Sequence, residues 1–584
     1  AEAVLICGRV TTGARGALEM LHPEVYRLKS AAPPTIRPLY SLPPEIPQRL
    51  FSSIVAQGLA AAESAQLDAI PCELDRASAL PRVAVALRYL HQPPPDVDLV
   101  ALENVSTPAH QALAMDEMFA FQLTLARERA RSARRSGAQL DGEPKLSAAM
   151  IASLPFALTT AQHRAIDEIS ADLAEPAQMN RVLIGDVGSG KTLVAFHALV
   201  RAAESGWQAV MMAPTELLAE QHFRNFSAMS GALGVSSALV TGSVAGAKRA
   251  RILRALARGD IAIAFGTHAL FQERVRIGRL GLAVIDEQHR FGVLDRARLL
   301  ALGAEANVLL MTATPIPRSL ALALLRHLQV SRLDELPPGR TPITTEIFSE
   351  DDVGQVDDLV RTELEQGRRA YYVLPLIDGE EEDDASVAAA VKRLTGPVGK
   401  FGIGALHGRM RAAEKDRVMR RFRDGEINLL VATTVVEVGV DVPEATIIVV
   451  AAAERYGLAQ LHQLRGRVGR GVTASRCCLV VSRETRGPAR ERLEALTRRS
   501  NGDEVAELDL RTRGPGDLFG VRQTGLLPLR FGGFIRDLRL IERAGDLAEE
   551  WLRRDPTLAT AASTRAAAAI KELLALGVSF GDIG

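Results

Sequence analysis

Val182-Leu183-Ile184-Gly185-Asp186-Val187-Gly188-Ser189-Gly190-Lys191-Thr192 carries a short apolar run into a loop of the pattern G-x-x-x-x-G-K-[ST]. The run reads as a buried strand, and Thr192 to Arg201 reads as the helix that leaves the loop. Gly185, Gly188 and Gly190 allow close backbone approach, so successive N–H groups, those of Asp186, Val187 and Ser189 included, can converge on phosphate oxygens. The start of the following helix also favours an anion. Lys191 would neutralise the outer phosphates and Thr192 would place its hydroxyl on Mg²⁺, so the implied cofactors are ATP and Mg²⁺. Taken alone, the octapeptide is also compatible with an ordinary glycine-rich turn.

Leu282-Ala283-Val284-Ile285 is a second apolar run, and it ends in Asp286-Glu287-Gln288-His289. Such a run suits a central parallel strand buried on both faces, and open α/β sheets place their ligands at the carboxyl ends of strands. Asp286 is then suited to hold Mg²⁺, and Glu287 to orient or deprotonate the attacking water. An acidic pair after a strand is often only a solvated turn; downstream of a phosphate loop it acquires a specific meaning.

Apolar strands alternate with amphipathic helices from Leu154 to about Pro338, and again from about Thr344 to Arg483, which is the pattern of parallel sheets wrapped by helices. The expected fold class is α/β with two lobes of one architecture, of which only the first has a phosphate loop. The second lobe contributes Gln463-Leu464-Arg465-Gly466-Arg467-Val468-Gly469-Arg470-Gly471. Arg467 and Arg470 stand three apart, an interval expected to put both on one side of a helical turn. Guanidinium forks match phosphate, and an arginine reaching a γ-phosphate is worth about 10³ to 10⁵ in rate. A solvated surface or an RNA contact is the alternative reading of the cluster by itself.

The 584 residues imply several domains, and 47% hydrophobic content can build full cores. Seventy basic and seventy acidic residues cancel, so binding to nucleic acid must come from local patches and not from a bulk field. Cys7, Cys72, Cys477 and Cys478 lack metal-ligand spacing and suit a reducing compartment. No apolar run reaches membrane-spanning length and no signal-peptide pattern opens the chain, so a cytoplasmic protein without membrane contact is expected.

Short strands are expected in Ala3 to Val10 and Leu18 to His22 about the turn Thr12 to Gly16, with proline-rich connections at Pro33-Pro34 and Pro93 to Pro95. A helix is expected from 108 to 135, with Ala114, Met118, Phe121 and Leu125 as one apolar stripe and a basic end at Arg127 to Arg135.

The ordered set Gln162, Gly185 to Thr192, Ala213-Pro-Thr-Glu-Leu217, Gly266-Thr267-His268, Asp286 to His289, Thr312 to Arg318, Val431 to Asp441 and Gln463 to Arg470 resembles the superfamily 2 helicases. Asp286-Glu-Gln-His-Arg-Phe-Gly292 and Leu461 to Gly471 resemble, more closely, the RecG branch-migration family. The resemblance implies two RecA-like lobes, residues 151–340 and 341–486. A partial OB-fold wedge (1–60) and a linker with a connecting helix (61–150) would precede them. A translocation hairpin, loop and C-terminal helices (487–584) would follow. It implies an adenine-reading glutamine at Gln162, whose amide has both a donor and an acceptor edge. It implies nucleotide-facing residues at Gly439 and Asp441, and coupling of ATP state to DNA grip through Thr312 and Thr314. A phosphate track is implied at Gly266, Thr267 and His268 and in the basic stretches Lys248 to Arg251 and Arg417 to Arg423. Arg492 and Gln523 match the translocation motif. Gly502-Asp503 replaces the family's Gly-Phe there, which puts the hairpin packing in question.

The implied substrate is branched double-stranded DNA, stalled forks and Holliday junctions, remodelled with ATP; single-stranded-DNA-binding protein is an implied partner. The family's base-stacking aromatics lie upstream of the segment resembling Val4 to Val10, so a half-barrel with weakened junction splitting is expected, whether the chain's start at Ala1 is processed or truncated. Two other readings remain at this point. A transcription-repair coupling translocase shares the hairpin but usually has Asp-Glu-Glu-His where this chain has Gln288. A junction-binding module would hydrolyse ATP without unwinding.

Overall fold

The computed structural model describes residues 4–7, 10–12, 17–20, 24–27, 36, 38–43, 45–74, 80–132, 135–244, 246–271, 275–286, 305–312, 326, 328–337, 341–375, 380–433, 442–469, 471, 473–499, 502–513, 529–533 and 536–575. They fall into two compact units: Ala1–Phe121 with Leu529–Gly533 and Arg539–Lys571, and Gln122–Pro528 with Phe534–Leu538 and Glu572–Gly584.

In the first unit, β1 (Val4–Cys7) pairs antiparallel with β4 (Glu24–Arg27), and β2 (Val10–Thr12) with β3 (Leu18–Met20). Among the described residues these are two separate two-stranded sheets, not a barrel, and residues 48–62 form a helix. The rest packs around a cluster of Val83, Ala86, Ala109, Ala112 and Leu113, and carboxylates take backbone N–H groups beside it. Asp116 accepts from Ala69 and Ile70, and Glu117 accepts from Arg530, Phe531 and Gly532. Charge-assisted bonds of this kind are about twice as strong as neutral ones, so two adjacent acids organise segments far apart in sequence.

Both acids sit on the helix Pro108–Ser132. Ala114, Met118, Phe121 and Leu125 are buried as the sequence suggests, but so are Leu113, Met115, Phe119, Gln122, Leu123 and Thr124. The stripe is therefore core as expected, and the neighbouring positions are buried with it over the middle turns, where a 3.6-residue pattern fades because it shows only when one face meets water.

The second unit holds two parallel sheets. In the first lobe the order is β11 (Gln329–Leu333), β5 (Asn180–Gly185), β10 (Asn307–Thr312), β9 (Leu280–Ile285), β6 (Gln208–Met212), β8 (Ile263–Gly266) and β7 (Ser237–Val240). In the second it is β12 (Ile343–Ser349), β17 (Ser475–Val481), β16 (Ala445–Val450), β13 (Arg369–Val373), β15 (Leu429–Ala432) and β14 (Ile403–Leu406). Two parallel-sheet lobes of one architecture are what the alternation encodes, and they fit the RecA-like lobes that the resemblance implies.

Side chains of successive strand residues point to opposite faces, and both faces are dry. Leu183, Leu282 and Val284 join one core of lobe 1, whereas Val182, Ile184, Ala283 and Ile285 join the other. Only β10 lies between β5 and β9, so their carboxyl ends emerge on one edge two strand spacings apart, roughly 10 Å. Among the described residues no helix is long and apolar enough to cross a membrane.

Candidate active site

The phosphate loop leaves β5 at Gly185 and passes into the helix Lys191–Glu204. Gly188 and Gly190 take left-handed angles, φ 80° and 90°, which side-chain-bearing residues adopt at a cost. Space is short as well as strained. A Cβ on Gly190 would run into Nε2 of Gln162, and one on Gly185 would come within 2.5 Å of Ser189 Oγ and 2.9 Å of Leu333 Cβ. Lys191 Nζ donates to the carbonyls of Gly185 (2.7 Å) and Asp186 (2.9 Å), which holds its ammonium over the loop.

Gln162 is buried and fully engaged. Its Oε1 accepts from Thr159 N at 3.0 Å, closing a capping box on the helix Thr160–Ala174, and its Nε2 donates to Ser189 O at 2.9 Å. In this arrangement the amide braces the loop; reading a base would require it to exchange those bonds.

Asp286 follows the last residue of β9, its N–H donating to Met212 O at 2.9 Å. His222 Nε2 lies 2.7 Å from its Oδ2 and takes that oxygen. Among the described residues Oδ1 makes no hydrogen bond, which leaves it for a metal. One carboxylate and the Thr192 hydroxyl are a thin donor set, and thin sets suit Mg²⁺, which keeps waters and shares phosphate oxygens. The glycine cradle, Lys191 and this pair fit ATP with Mg²⁺. Thr312 ends β10 beside Ile184 and is buried. Glu287, Thr314, Gly439, Asp441, Arg470 and Gln523 lie outside the described residues.

The second lobe meets the loop directly. His462 Nε2 lies 2.7 Å from Asp186 Oδ1, and a Cβ on Gly466 would come within 2.9 Å of Val187 Cβ. Burial opposes ionisation of Asp186, but the His462 hydrogen bond and charge, with the Val187 N–H and Lys191, outweigh it and lower its pKa. His462 Nδ1 in turn lies 2.8 Å from Arg465 Nη2, while Arg465 Nη1 donates to Leu496 O (3.0 Å) and Arg499 O (2.7 Å). Burial lowers the Arg465 pKa.

Those carbonyls end the helix Pro488–Arg498, the first arm of a hairpin whose second arm is Gly502–Arg513. A Cβ on Gly502 would sit 3.0 Å from both Asp186 Oδ2 and His462 Nε2, so glycine is the residue that permits this approach. Arg492 turns into the lobe, donating to Glu454 O (2.9 Å) and Tyr456 O (3.4 Å).

One expectation is corrected. The helix Leu458–Arg465 stops at Gly466, and Gly469 has φ 72°, so Arg467 lies past the helix end and the spacing argument for one face does not apply. Arg467 is buried in the turn, its N–H donating to Leu464 O.

Gly266 and Thr267 are also buried. A Cβ on Gly266 would strike the Val240 carbonyl, and Thr267 Oγ1 accepts from Ala269 N at 3.4 Å, so both have packing work here. The 3₁₀ turn His268–Phe271 follows. His222, His462 and Arg465 were missed in the sequence. Only the i, i+3 spacing of His462 and Arg465 on one helix could have pointed to that pair.

Three family models match in order: DEAD/DEAH box helicase over residues 159–322, helicase conserved C-terminal domain over 354–472, and ATP-dependent DNA helicase RecG, domain 3, C-terminal, over 499–583. Over 563 residues the chain is 41% identical to the ATP-dependent DNA helicase RecG of Haemophilus influenzae, covering 94% of this chain and 81% of that one. The chain belongs to the RecG family of ATP-dependent DNA helicases.

Escherichia coli (strain K12) RecG is 41% identical over 570 residues, 96% of this chain and 82% of its own. Among solved structures, RecG bound to a three-way DNA junction superposes with TM-score 0.70 at 38% identity, covering 92% of this chain and 70% of that chain. In RecG terms, the third matched model begins at residue 499, where Arg465 grips the hairpin.

Proposed function

We propose that this RecG-family enzyme spends ATP on moving along double-stranded DNA and remodels branched DNA, stalled forks and Holliday junctions among them. The observation that carries the reading is a single meeting point. Asp186 of the phosphate loop, His462 of the second lobe and Gly502 of the hairpin lie against one another, so the nucleotide loop touches the element matched by the RecG domain model. The similarity to RecG on a three-way junction supports branched DNA as the substrate.

When bound, ATP with Mg²⁺ supplies the phosphoanhydride whose hydrolysis drives the cycle. Lys191 and the loop N–H groups hold the phosphates, and Thr192 and Asp286 hold the metal. Glu287 takes the proton of the attacking water. Arg467 and Arg470 stabilise developing charge from lobe 2, which makes hydrolysis conditional on both lobes being in register.

Gln162, Gly439 and Asp441 complete the nucleotide pocket. Thr312 and Thr314 couple it to the DNA track that the resemblance assigns to Gly266 through His268, Arg492 and Gln523, of which Gly266, Thr267 and Arg492 pack inward in this arrangement and would act on DNA through their neighbours. Residues 151–340 and 341–486 are the lobes, and 487–584 carries the hairpin and loop. The resemblance adds single-stranded-DNA-binding protein as a partner and the cytoplasm as location.

The test is a fork with each strand labelled. DNA-stimulated ATP hydrolysis accompanied by ATP-dependent strand displacement is expected, both lost in Lys191→Ala. Stimulated hydrolysis with no displacement would overturn fork remodelling and leave a junction-binding ATPase.

A further inference from the structure

His222 lies outside every phosphate-loop and arginine element, yet it holds the carboxylate at the end of β9. Its Nε2 is 2.7 Å from Asp286 Oδ2, and the two side chains are 5% and 12% exposed. Nδ1 is buried without a hydrogen-bond partner, so among the described residues Asp286 is the ring's one hydrogen-bond partner. Phe196, from the helix that follows the phosphate loop, meets the ring edge-on at 6.4 Å and 86°. Phe196 is itself packed against Phe226 and Phe265, so the imidazole stands on a rigid aromatic wall.

The helix that carries His222, Glu216–Ser230, is also where lobe 2 docks. Leu217 is buried as part of the core cluster of lobe 2, and Glu220 pairs with Arg420 of lobe 2 at 2.6 Å. His222 is two residues beyond Glu220 on this helix, so a shift of the helix under lobe 2 carries the imidazole with it.

We infer that His222 is a positioning residue for ATP hydrolysis, holding the metal-binding carboxylate of Asp286 in an orientation set by the helix on which lobe 2 docks. The inference rests on the reading of Asp286 as a Mg²⁺ ligand. With its proton on Nε2 the imidazole donates to Oδ2 and ties that oxygen. Carboxylate torsions are otherwise broad, and this bond is what selects one. Removing such an outer hydrogen bond from a metal ligand commonly lowers metal affinity or activity about 10- to 100-fold.

The experiment measures binding of a fluorescent non-hydrolysable ATP analogue in Mg²⁺ and in EDTA, for the full chain and for His222→Phe, His222→Gln and Asp286→Asn. In EDTA all four are expected to bind alike. In Mg²⁺, His222→Phe should lose most of the metal-dependent gain, roughly 10-fold or more, as should Asp286→Asn. His222→Gln, which keeps an N–H donor near the Nε2 position, should recover most of it.

If His222→Phe proves unstable, as a changed EDTA affinity would show, His222→Asn is read the same way, since it draws the donor back from Asp286. A full Mg²⁺ gain in His222→Phe with the gain lost in Asp286→Asn overturns the role of His222 and spares that of Asp286. A full gain in both overturns the reading of Asp286 and the inference with it. Loss in His222→Phe that Gln does not restore assigns the effect to packing and also overturns the inference.

Discussion

Replacing Gly190 by alanine tests the phosphate loop where its geometry is tightest. At φ 90° and ψ 20° the new residue sits in the left-handed region, at a cost of about 1–2 kcal/mol. Its Cβ also runs into Gln162 Nε2, which is buried and bonded to Ser189 O at 2.9 Å. Pushing that amide aside strands a buried donor and acceptor, about 1–3 kcal/mol more. Together these disfavour the phosphate-holding loop by about 2–5 kcal/mol, and at 1.4 kcal/mol per tenfold the low end is already roughly 30-fold in ATP affinity.

Titration calorimetry of ATP, and of tripolyphosphate, which has no base, measures the loss without involving adenine. Both ligands should weaken together. Adding Gln162→Ala to Gly190→Ala removes the colliding group, so the double variant should bind better than the two single effects predict, with a coupling of about 1–3 kcal/mol. Gly206→Ala is the control: it has φ 75° with open space around its Cβ, in a turn after the helix and not in the loop, so it should pay the strain in stability and leave ATP binding unchanged. Two independent, additive single effects, or a Gly190→Ala protein within threefold of the parent, would refute the collision.

Glu287→Gln should bind ATP and hold it unhydrolysed in single-turnover quench, and normal turnover would remove Glu287 from the chemistry. The Asp186 contact should respond to acid with a defined sign. Its pKa is depressed in the fold, first against burial and chiefly by His462, so its stabilisation is complete above the unfolded carboxylate value of about 3.9 and is lost as pH falls through the lower folded value. The melting-temperature gap between parent and Asp186→Asn should therefore be flat at higher pH and close only below about pH 4; a gap that closes near neutrality would contradict this. Arg465→Lys cannot span two carbonyls and an imidazole, and a charged hydrogen bond is worth about 1.5–3 kcal/mol. Limited proteolysis should then cut between the hairpin arms faster than in the parent, with ATP affinity little changed.

The two sheets were legible because they are buried on both faces. Val182 to Ile184, Leu282 to Ile285 and Ile447 to Val450 have no polar interruption, and such runs bounded by loops have few other solutions. In the helix Pro108–Ser132 the stripe Ala114, Met118, Phe121 and Leu125 is buried as its spacing implies, while the burial of Leu113, Met115, Phe119, Gln122, Leu123 and Thr124 leaves no period to read.

Within the site, the loop and Asp286 were legible because phosphate and metal chemistry fix residue type and spacing together. His222 and His462 were not, since a histidine reaching a carboxylate far along the chain leaves no local pattern. The i, i+3 interval of Arg467 and Arg470 predicts one helical face, but the helix ends at Gly466 and leaves Arg467 beyond it, and that glycine stands in the sequence. A glycine at a helix end outweighs an i, i+3 interval that runs past it.

The division of labour inside the octapeptide explains why its pattern alone says so little. Gly188 and Gly190 are committed to backbone angles, Gly185 to clearance, and Lys191 and Thr192 to charge and metal. Of the intervening residues, Ser189 lends its carbonyl to Gln162, which leaves the side chains of Asp186 and Val187 to meet another part of the protein. Both do: Asp186 bonds His462 and Val187 packs on Gly466, each from the other lobe. The positions that G-x-x-x-x-G-K-[ST] leaves open are thus where this loop recognises its own second lobe. Asp186 answers to His462 and Gly502, and Val187 to Gly466. Asp186→Ala and Val187→Ala should accordingly leave phosphate binding close to that of the parent and lower DNA-stimulated turnover, whereas a matching loss of phosphate affinity would mean that these two side chains shape the cradle itself.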